Sequence, residues 1–298
     1  LPNPLPMGEG KILTIFRFRQ TLMKLFANKV AAITGAGSGI GRALALNLAK
    51  QGCHLALSDV NEQGLAETVT QAQAFGVKVT SQKLDVANKD GVHAWADSVV
   101  RDHGKVNLIF NNAGVALGST VEGMSYDELA WVMNINFWGV VYGTKAFLPY
   151  LKASGDGHIV NVSSVFGLCA QPTQSAYNAS KFAVRGFTEA LRQELDLEKA
   201  PVSVTCVHPG GIKTNIAKAA KMNDSIRSVG LDPSTSTKNF EKMFRTTPAE
   251  AANVILNAVQ KDSRRVLIGG DAYVIDAMQR LLPTSYQKLV TMGTRFMK

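Results

Sequence analysis

Cysteine, charge and long apolar runs are all scarce in this chain of 298 residues. The three cysteines, Cys53, Cys169 and Cys206, lie far apart in apolar stretches. That spacing fits neither a disulfide framework nor a zinc site, and it predicts buried thiols in a reducing compartment. No stretch approaches the roughly 20 apolar residues of a transmembrane helix, and the apolar run before Arg17 is too short for a secretory signal. We therefore expect an intracellular, cytoplasmic protein.

Charged residues make up 18% of the chain and hydrophobic residues 46%, which is typical of a soluble globular protein and excludes disordered and collagen-like sequences. The net charge of +9 lies mostly at the ends. Residues 1–29 hold five basic side chains against Glu9, and residues 261–298 hold seven against three aspartates. The near-neutral middle argues against nucleic-acid binding. The basic ends favour solvated surface, with weak contact to a membrane surface as the alternative.

Short apolar runs alternate with segments of helical periodicity through most of the chain. This alternation predicts right-handed crossovers and a parallel sheet covered by helices on both faces, which is a three-layer, doubly wound α/β fold. A polar segment at 210–247 interrupts the pattern and is predicted to be a helical lid on a single domain. Two helix starts, Ser125 with Glu128 and Thr247 with Glu250, have the spacing of capping boxes. The predicted strands are 30–34, 54–59, 78–85, 106–111, 158–163, 202–208 and 265–268, and the predicted helices include 62–75, 90–103, 126–152 and 175–199.

A glycine cluster, Thr34-Gly-Ala-Gly-Ser-Gly-Ile-Gly41, follows the first strand. At such a strand-to-helix turn the backbone N–H groups and the helix dipole can receive a pyrophosphate. The glycine spacing differs from G-x-G-x-x-G and no Gly-Lys-Ser/Thr follows, which disfavours a P-loop and leaves a simple tight turn as the alternative. Asp59 ends the second strand, near the place where an acidic residue binds the adenosine ribose. A turn-forming role at the strand end is the competing interpretation.

Tyr177 and Lys181 lie four residues apart, which places them on one face of a predicted helix. A free tyrosine has a pKa of about 10, so it is a poor base near neutrality. A neighbouring lysine cation favours the phenolate and is expected to lower that pKa. The pair is a candidate proton-transfer device, although this spacing also occurs by chance on solvated helix faces.

Seven motifs in a fixed order make the chain resemble the short-chain dehydrogenase/reductase family over about residues 28–270. They are the glycine cluster at 34–41, Asp85-Val86, Asn111-Asn-Ala-Gly114, Asn134-Ile-Asn136, Asn161-Val-Ser-Ser164, Tyr177 to Lys181, and Pro209-Gly-Gly-Ile-Lys-Thr214. The resemblance implies a Rossmann-type catalytic domain at 29–270, preceded by an extension at 1–28 and followed by a tail at 271–298. Met7 or Met23 is an alternative natural start within that extension.

The resemblance also implies a role for each matching position. Tyr177 would be the catalytic acid/base, Ser164 rather than Ser163 would steady the substrate oxygen, and Lys181 would bind the nicotinamide ribose and lower the Tyr177 pKa. Asn136, rather than Asn134, would support a proton relay. The residues implied in nicotinamide dinucleotide binding are Gly35, Ser38, Gly39, Ile40, Gly41, Asp59, Asp85, Val86, Asn112, Gly114, Tyr177, Lys181, Ile212 and Thr214.

Cofactor choice is expected to depend on Asp59, because a carboxylate repels the 2′-phosphate of NADP. Val60 and Ser38 supply no compensating cation, so NAD is favoured, while Arg42 nearby keeps NADP as the minority alternative. The chemistry implied is hydride transfer between the cofactor and a secondary alcohol or ketone. A dinucleotide-binding scaffold or regulator without turnover is the second hypothesis. The family commonly forms dimers and tetramers, so a homo-oligomer is expected.

The substrate is predicted to be hydrophobic, because the segments implied to form the pocket are largely apolar. They are Phe166, Leu168, Ala170, Gln171 and Pro172 after Ser164, Val115, Ala116 and Leu117, and the lid near 215–245. The five histidines, His54, His93, His103, His158 and His208, show no metal-ligand spacing, and no metal site is predicted. Trp131 and Trp138, seven residues apart on a helix, are assigned to packing.

Overall fold

A computed structural model of the chain describes residues 26–235 and 244–296, with side chains to residue 294. The expectations for the N-terminal extension up to residue 25, and for the part of the lid at 236–243, lie outside the described residues. The same is true of any membrane contact made by the basic residues of the first 25.

The described chain alternates strand and helix as the sequence predicts. Its strands are β1 (Val30–Thr34), β2 (His54–Asp59), β3 (Val79–Lys83), β4 (Leu108–Asn111), β5 (Leu117–Gly118), β6 (Gly157–Val162), β7 (Val202–Pro209), β8 (Lys221–Met222) and β9 (Arg265–Ile268). Its helices are α1 (Gly39–Lys50), α2 (Glu62–Gln73), α3 (Lys89–His103), α4 (Tyr126–Met133), α5 (Gly139–Ala153), α6 (Ser175–Leu197), α7 (Pro248–Gln260), α8 (Gly270–Leu281) and α9 (Tyr286–Phe296).

The main sheet has seven parallel strands in the order β3-β2-β1-β4-β6-β7-β9. All five residues of β1 are buried, and successive side chains alternate between the two faces. Ile33 packs with Leu48 of α1 and Ile255 of α7 on one face, while Ala32 packs with Phe147 of α5 and Leu191 of α6 on the other. Helices thus cover both faces, and the predicted three-layer, doubly wound α/β fold is confirmed.

The helix predicted at 126–152 is interrupted. A π-helical turn at Asn134–Trp138 separates α4 from α5. An inserted turn of this kind accommodates an extra residue and is frequent at functional sites. Here it carries Asn136, which is completely buried. Sequence periodicity alone does not reveal the interruption, because the apolar pattern continues through it.

The structure also describes the two predicted capping boxes and the C-terminal segment. Both capping boxes are confirmed: the Ser125 and Thr247 side chains accept the N–H groups of Glu128 and Glu250, whose carboxylates return to the capping residues. The predicted C-terminal tail, 271–298, lies in α8 and α9 as far as residue 296. Tyr286 of α9 is 6% exposed, and its hydroxyl accepts the Ala170 N–H at 3.2 Å. The C-terminal helices therefore pack on the domain.

Gly41 lies where α1 crosses the loop that follows β1. A Cβ atom at Gly41 would overlap the carbonyl oxygen of Gly35. We therefore expect Gly41→Ala to lower the free energy of unfolding by about 1–3 kcal/mol, because the added methyl group forces the helix away from the loop. Urea denaturation followed by circular dichroism measures the change.

Gly186 in α6 supplies the matched control. Apart from its chain neighbours and the adjacent backbone of its own helix, the described chain has no atom within 4 Å of the position that its Cβ would occupy. Gly186→Ala is expected to leave stability unchanged or to raise it, since alanine favours helix more than glycine does. Equal destabilisation by the two substitutions would contradict the packing argument.

Candidate active site

A cavity of about 490 Å³ lies at the carboxyl ends of the parallel strands. The strand order reverses between β1 and β4, and doubly wound sheets bind ligands at such a switch point. The cavity wall contains the predicted residues Gly35, Ser38, Gly39, Ile40, Asp59, Asp85, Val86, Asn112, Gly114, Ser164, Tyr177, Lys181, Ile212 and Thr214. Two predicted site residues, Gly41 and Asn136, lie buried behind this wall.

The glycine loop has the geometry of an anion cradle. Gly35 and Gly39 adopt φ angles of 65° and 52°, in the left-handed region that favours glycine. Ser38 is the N-cap residue of α1, and its side chain makes no capping hydrogen bond to the described residues. The first-turn N–H groups of α1 and the Ser38 hydroxyl therefore suit a phosphate. Gly41 lies outside the cavity wall and allows close packing of α1 against Gly35, and its part in cofactor binding stays a prediction.

Asp59 and Arg42 both form hydrogen bonds to the backbone of Gly37 in the glycine loop. The Asp59 carboxylate accepts the Gly37 N–H at 2.7 Å and the Asn61 N–H at 2.8 Å, and it lines the cavity. The Arg42 guanidinium donates to the Gly37 carbonyl at 2.6 Å and pairs with Glu67 at 2.9 Å. Arg42 is thus engaged by the protein itself, behind the loop.

Lys181 and two neighbouring serines organise the wall opposite the glycine loop. Lys181 is 3% exposed. Its ammonium group donates to the Val162 carbonyl at 3.0 Å and lies 5.6 Å from the centre of the Tyr177 ring. Ser163 donates its hydroxyl to the Lys181 carbonyl at 2.8 Å. The Ser164 hydroxyl accepts the Phe166 N–H at 3.1 Å and hydrogen bonds to Tyr177. Ser164, rather than Ser163, is therefore the partner of the phenol.

Burial sets the ionisation of the Tyr–Lys pair. It raises the pKa of Tyr177 to about 12, against the opposing effect of the Ser164 hydrogen bond. It lowers the pKa of Lys181 to about 8. Desolvation disfavours the charged form of either group. The predicted lowering of the Tyr177 pKa is therefore wrong for the net shift, because the sequence does not show how deeply the phenol is enclosed.

The Asn136 side chain stabilises the loop that follows β4 through hydrogen bonds. Its side-chain oxygen accepts the Val115 N–H at 2.8 Å, and its nitrogen donates to the Val115 carbonyl at 2.9 Å and to the Ser180 hydroxyl at 3.1 Å. Asn134 is exposed. The π-helical turn thus aims Asn136, and not Asn134, at the core of the site.

His208 is a site residue that sequence reasoning missed. It is fully buried, and its Nδ1 lies 3.0 Å from the Ser164 carbonyl, which also accepts the Gly167 N–H at 2.9 Å. Burial lowers the His208 pKa to about 4, so the ring is neutral near pH 7. In the neutral ring an Nδ1–H group donates to the carbonyl. The available sequence signal for His208 was its position on an apolar strand. That position does not distinguish a residue that binds the Ser164 backbone from one that only packs in the core.

The inner wall of the cavity is largely apolar, but not all of the residues predicted for it line the cavity. Val115, Ala116, Phe166, Gln171 and Pro172 line the cavity, while Leu117, Leu168 and Ala170 lie outside its wall, the two leucines each 1% exposed. The lid contributes Ile216, Ala217, Met222, Ile226, Leu231 and Phe244. Ile275 of α8 and Thr294 of α9 also line the cavity, and the sequence analysis did not anticipate them.

The described residues contain no group of three or more histidine, cysteine, aspartate or glutamate side chains placed to hold a metal ion. Cys53, Cys169 and Cys206 are buried free thiols. Within residues 26–235 and 244–296, no helix combines the length and hydropathy needed to cross a membrane.

The geometry defines a class of protein: a doubly wound sheet with a glycine loop, a switch-point cavity and a Ser–Tyr–Lys group is the architecture of a nucleotide-dependent oxidoreductase. The family model for short chain dehydrogenases matches residues 29–225. The chain belongs to the short-chain dehydrogenase/reductase family and is an oxidoreductase of that type.

Several known proteins resemble the chain along most of its length. The putative oxidoreductase SadH of Mycobacterium tuberculosis is 53% identical over 272 residues, which cover 91% of this chain and 97% of SadH. Estradiol 17-beta-dehydrogenase 11 of Macaca fascicularis is 30% identical over 264 residues, covering 88% of this chain and 82% of that protein. A short-chain dehydrogenase/reductase from Burkholderia phymatum, crystallised in complex with NAD, superposes with a TM-score of 0.81 at 33% identity, covering 87% and 95% of the two chains.

The two buried histidines predict an acid-sensitive fold. His158 on β6 is enclosed beside Thr205, 2.8 Å from its hydroxyl, and burial lowers the pKa of His158 and of His208 to about 4. The unfolded chain, with histidine pKa values near 6.5, binds more protons between about pH 6.5 and pH 4. The free energy of unfolding therefore has its full value above about pH 6.5. It falls by about 3 kcal/mol per histidine as the pH drops from about 6.5 to about 4.

Urea denaturation between pH 7.5 and 4.5 measures this slope. His158→Gln is expected to flatten it, because glutamine does not titrate. His93→Gln is the control, since His93 is exposed on α3, and it should keep the original slope. An unchanged slope in the His158 variant would refute the assignment.

Proposed function

We propose that the protein transfers a hydride between NAD(H) and the CH–OH or C=O group of a hydrophobic secondary alcohol or ketone. The observation that carries this proposal is one cavity that joins the glycine loop to Ser164, Tyr177 and Lys181. When bound, the nicotinamide ring supplies or accepts the hydride. The cavity residues orient the two reactants and exclude water from between them.

Tyr177 acts as the acid/base in this proposal. Its raised pKa keeps the phenol protonated near neutral pH, so it can donate a proton to a carbonyl oxygen. The hydrogen bond from Ser164 favours the phenolate that remains, and the same hydroxyl is placed to steady the substrate oxygen. Lys181 would bind the nicotinamide ribose with its ammonium group. Asn136 would support proton relay from behind the wall, where it also fixes Val115.

NAD is the proposed cofactor because of the charges beside the ribose end of the cavity. Asp59 presents a carboxylate to the cavity, where it suits the two ribose hydroxyls and repels a 2′-phosphate. The minority alternative needs Arg42 as the phosphate partner. Arg42 is instead held by Gly37, Gly64 and Glu67, which argues against that role. Asp85 and Val86, in the loop that follows β3, are proposed to contact adenine, with Asn112 and Gly114 along the cleft.

A hydrophobic substrate is proposed from the wall of the inner cavity. The lid and the loops after β4 and β6 present Val115, Phe166, Ile216 and Met222 beside Ser164. Apolar walls with a few polar groups at the reacting end are typical of sites for apolar ligands. One relative, 30% identical, bears the name of a dehydrogenase for the steroid estradiol, which is consistent with this chemistry.

A homodimer or homotetramer in the cytoplasm completes the proposal. Trp138, beside α5, and Phe182 on α6 are 43% and 40% exposed. Large apolar side chains left in solvent on adjoining helices favour a protein interface. The packing role predicted for Trp138 would then be met between subunits. A catalytically silent scaffold remains the second candidate, but it would have no need for the complete set of Asn136, Ser164, Tyr177 and Lys181.

Tyr177→Phe tests the catalytic assignment. The phenyl ring keeps the packing but removes the transferable proton, so we expect kcat to fall by at least about 100-fold. NADH affinity, measured by nicotinamide fluorescence, should change little. Turnover is measured spectrophotometrically at 340 nm with a panel of hydrophobic ketones.

Tyr150→Phe is the matched control. Tyr150 of α5 donates its hydroxyl to Asp97 on the protein surface, at 2.6 Å, and its loss should leave turnover unchanged. Full turnover in the Tyr177 variant would reject the acid/base assignment. NADH binding by the wild type without turnover across the panel would favour the silent scaffold.

Cofactor choice is tested by fluorescence titration with NADH and NADPH. We expect NADH to bind at least tenfold more tightly, because NADPH places its 2′-phosphate against Asp59. Asp59→Asn should narrow that ratio by removing the charge. Glu62→Gln, at the first residue of α2, removes a carboxylate that pairs with Lys83 and should keep the ratio. Tighter binding of NADPH by the wild type would overturn the choice of NAD.

A further inference from the structure

Asp271 joins the C-terminal helices to the loop that follows β7. It stands in the first turn of α8 and lines the cavity. Its Oδ2 accepts the Gly211 N–H at 2.6 Å. Gly211 immediately precedes Ile212. The family resemblance implies that Ile212 and Thr214 hold the nicotinamide carboxamide.

Two glycines leave room for this carboxylate. A Cβ atom at Gly210, after β7, or at Gly269, after β9, would overlap the Asp271 side chain. Gly269 also has a φ angle of 95°, which side-chain-bearing residues rarely adopt. The carboxylate therefore sits in a space that the backbone of both strand ends keeps open. Its place at a helix N-terminus further favours its negative charge.

The segment at 210–214 is held from the C-terminal side at three points. Gly210 donates its N–H to the Ile268 carbonyl at 2.9 Å, and Lys213 donates to the Thr246 carbonyl at 2.9 Å. Asp271 supplies the bond between them, at Gly211, and it is the contact made by a side chain. A change at Asp271 can therefore release the middle of the segment while the two backbone bonds remain.

We propose that Asp271 is a positioning residue for the nicotinamide end of the site, which fixes Gly211 and thereby the placement of Ile212 and Thr214. The inference rests on the proposed function, since it requires the nicotinamide to lie against this segment. Ile275, one turn further along α8, lines the cavity. The same helix thus connects the cofactor segment with the substrate wall.

The test compares two ligands that differ at the nicotinamide. NADH binding is measured by fluorescence and ADP-ribose binding, which involves no nicotinamide, by calorimetry, both on the full chain. Asp271→Ala is expected to weaken NADH binding by about tenfold or more, the effect of losing a hydrogen bond to a charged group. ADP-ribose affinity should stay within twofold. Asp271→Asn keeps an acceptor oxygen and should restore most of the NADH affinity.

Asp276→Asn is the matched control, because it removes a charge from the same helix, where Asp276 pairs with Arg265 and Arg280. It should bind both ligands as the wild type does. Equal weakening of NADH and ADP-ribose by Asp271→Ala, no weakening of either, or the same NADH loss in the Asp276 variant would each overturn the positioning role. Failure of the wild type to bind either ligand would overturn the proposed function, and this inference with it.

Discussion

The site depends on the hydrogen bonds that hold together two loops, one after β1 and one after β4. The strand order of the sheet reverses between these two strands. The Thr34 hydroxyl accepts the N–H groups of Asn112 and Ala113 at 3.0 and 3.1 Å, and the Asn112 amide donates to the Thr34 carbonyl at 2.9 Å. These bonds hold the glycine loop against the β4 loop. A Cβ atom at Gly35 would lie 2.9 Å from the Ala113 Cα, so glycine is required where the loops meet. This contact fixes the positions of both loops, and the cavity lies beyond it.

Burial then decides the chemistry that the cavity can support. Lys181 and His208 are buried and Tyr177 is half-buried in the cavity wall, and the shift of each pKa favours the uncharged form of the group. Lys181 donates to the Val162 carbonyl, and His208 and Tyr177 each hydrogen bond to Ser164. Such bonds are stronger where water is excluded. His208 holds the Ser164 backbone while Ser164 meets Tyr177. The site is thus preorganised by contacts that lie behind the reacting surface as much as by those that face it.

The order of strands and helices, the capping boxes and the glycine loop follow from local sequence patterns, whereas most of the other predicted cavity residues follow from the family resemblance. Periodicity and glycine placement are local properties, so they are legible in the chain without the fold. The remainder depends on contacts between distant segments. Arg42 is close to the glycine loop in sequence, but its partners Gly64 and Glu67 come from α2. The depth of Tyr177 and the π-helical turn at Asn136 likewise result from packing, which no single segment encodes.

The C-terminal segment makes the same point at the level of function. The family match ends at residue 225, yet Phe244, Ile275 and Thr294 line the cavity and Asp271 binds the loop after β7. The matched region contains the Ser–Tyr–Lys group and the glycine loop, which the proposed hydride transfer requires whatever the substrate. The region beyond it closes the apolar wall. Substrate choice is therefore expected to depend on this region together with Val115, Phe166, Ile216 and Met222 of the matched region, because residues that touch the variable part of a substrate can change without disturbing the proton-transfer group.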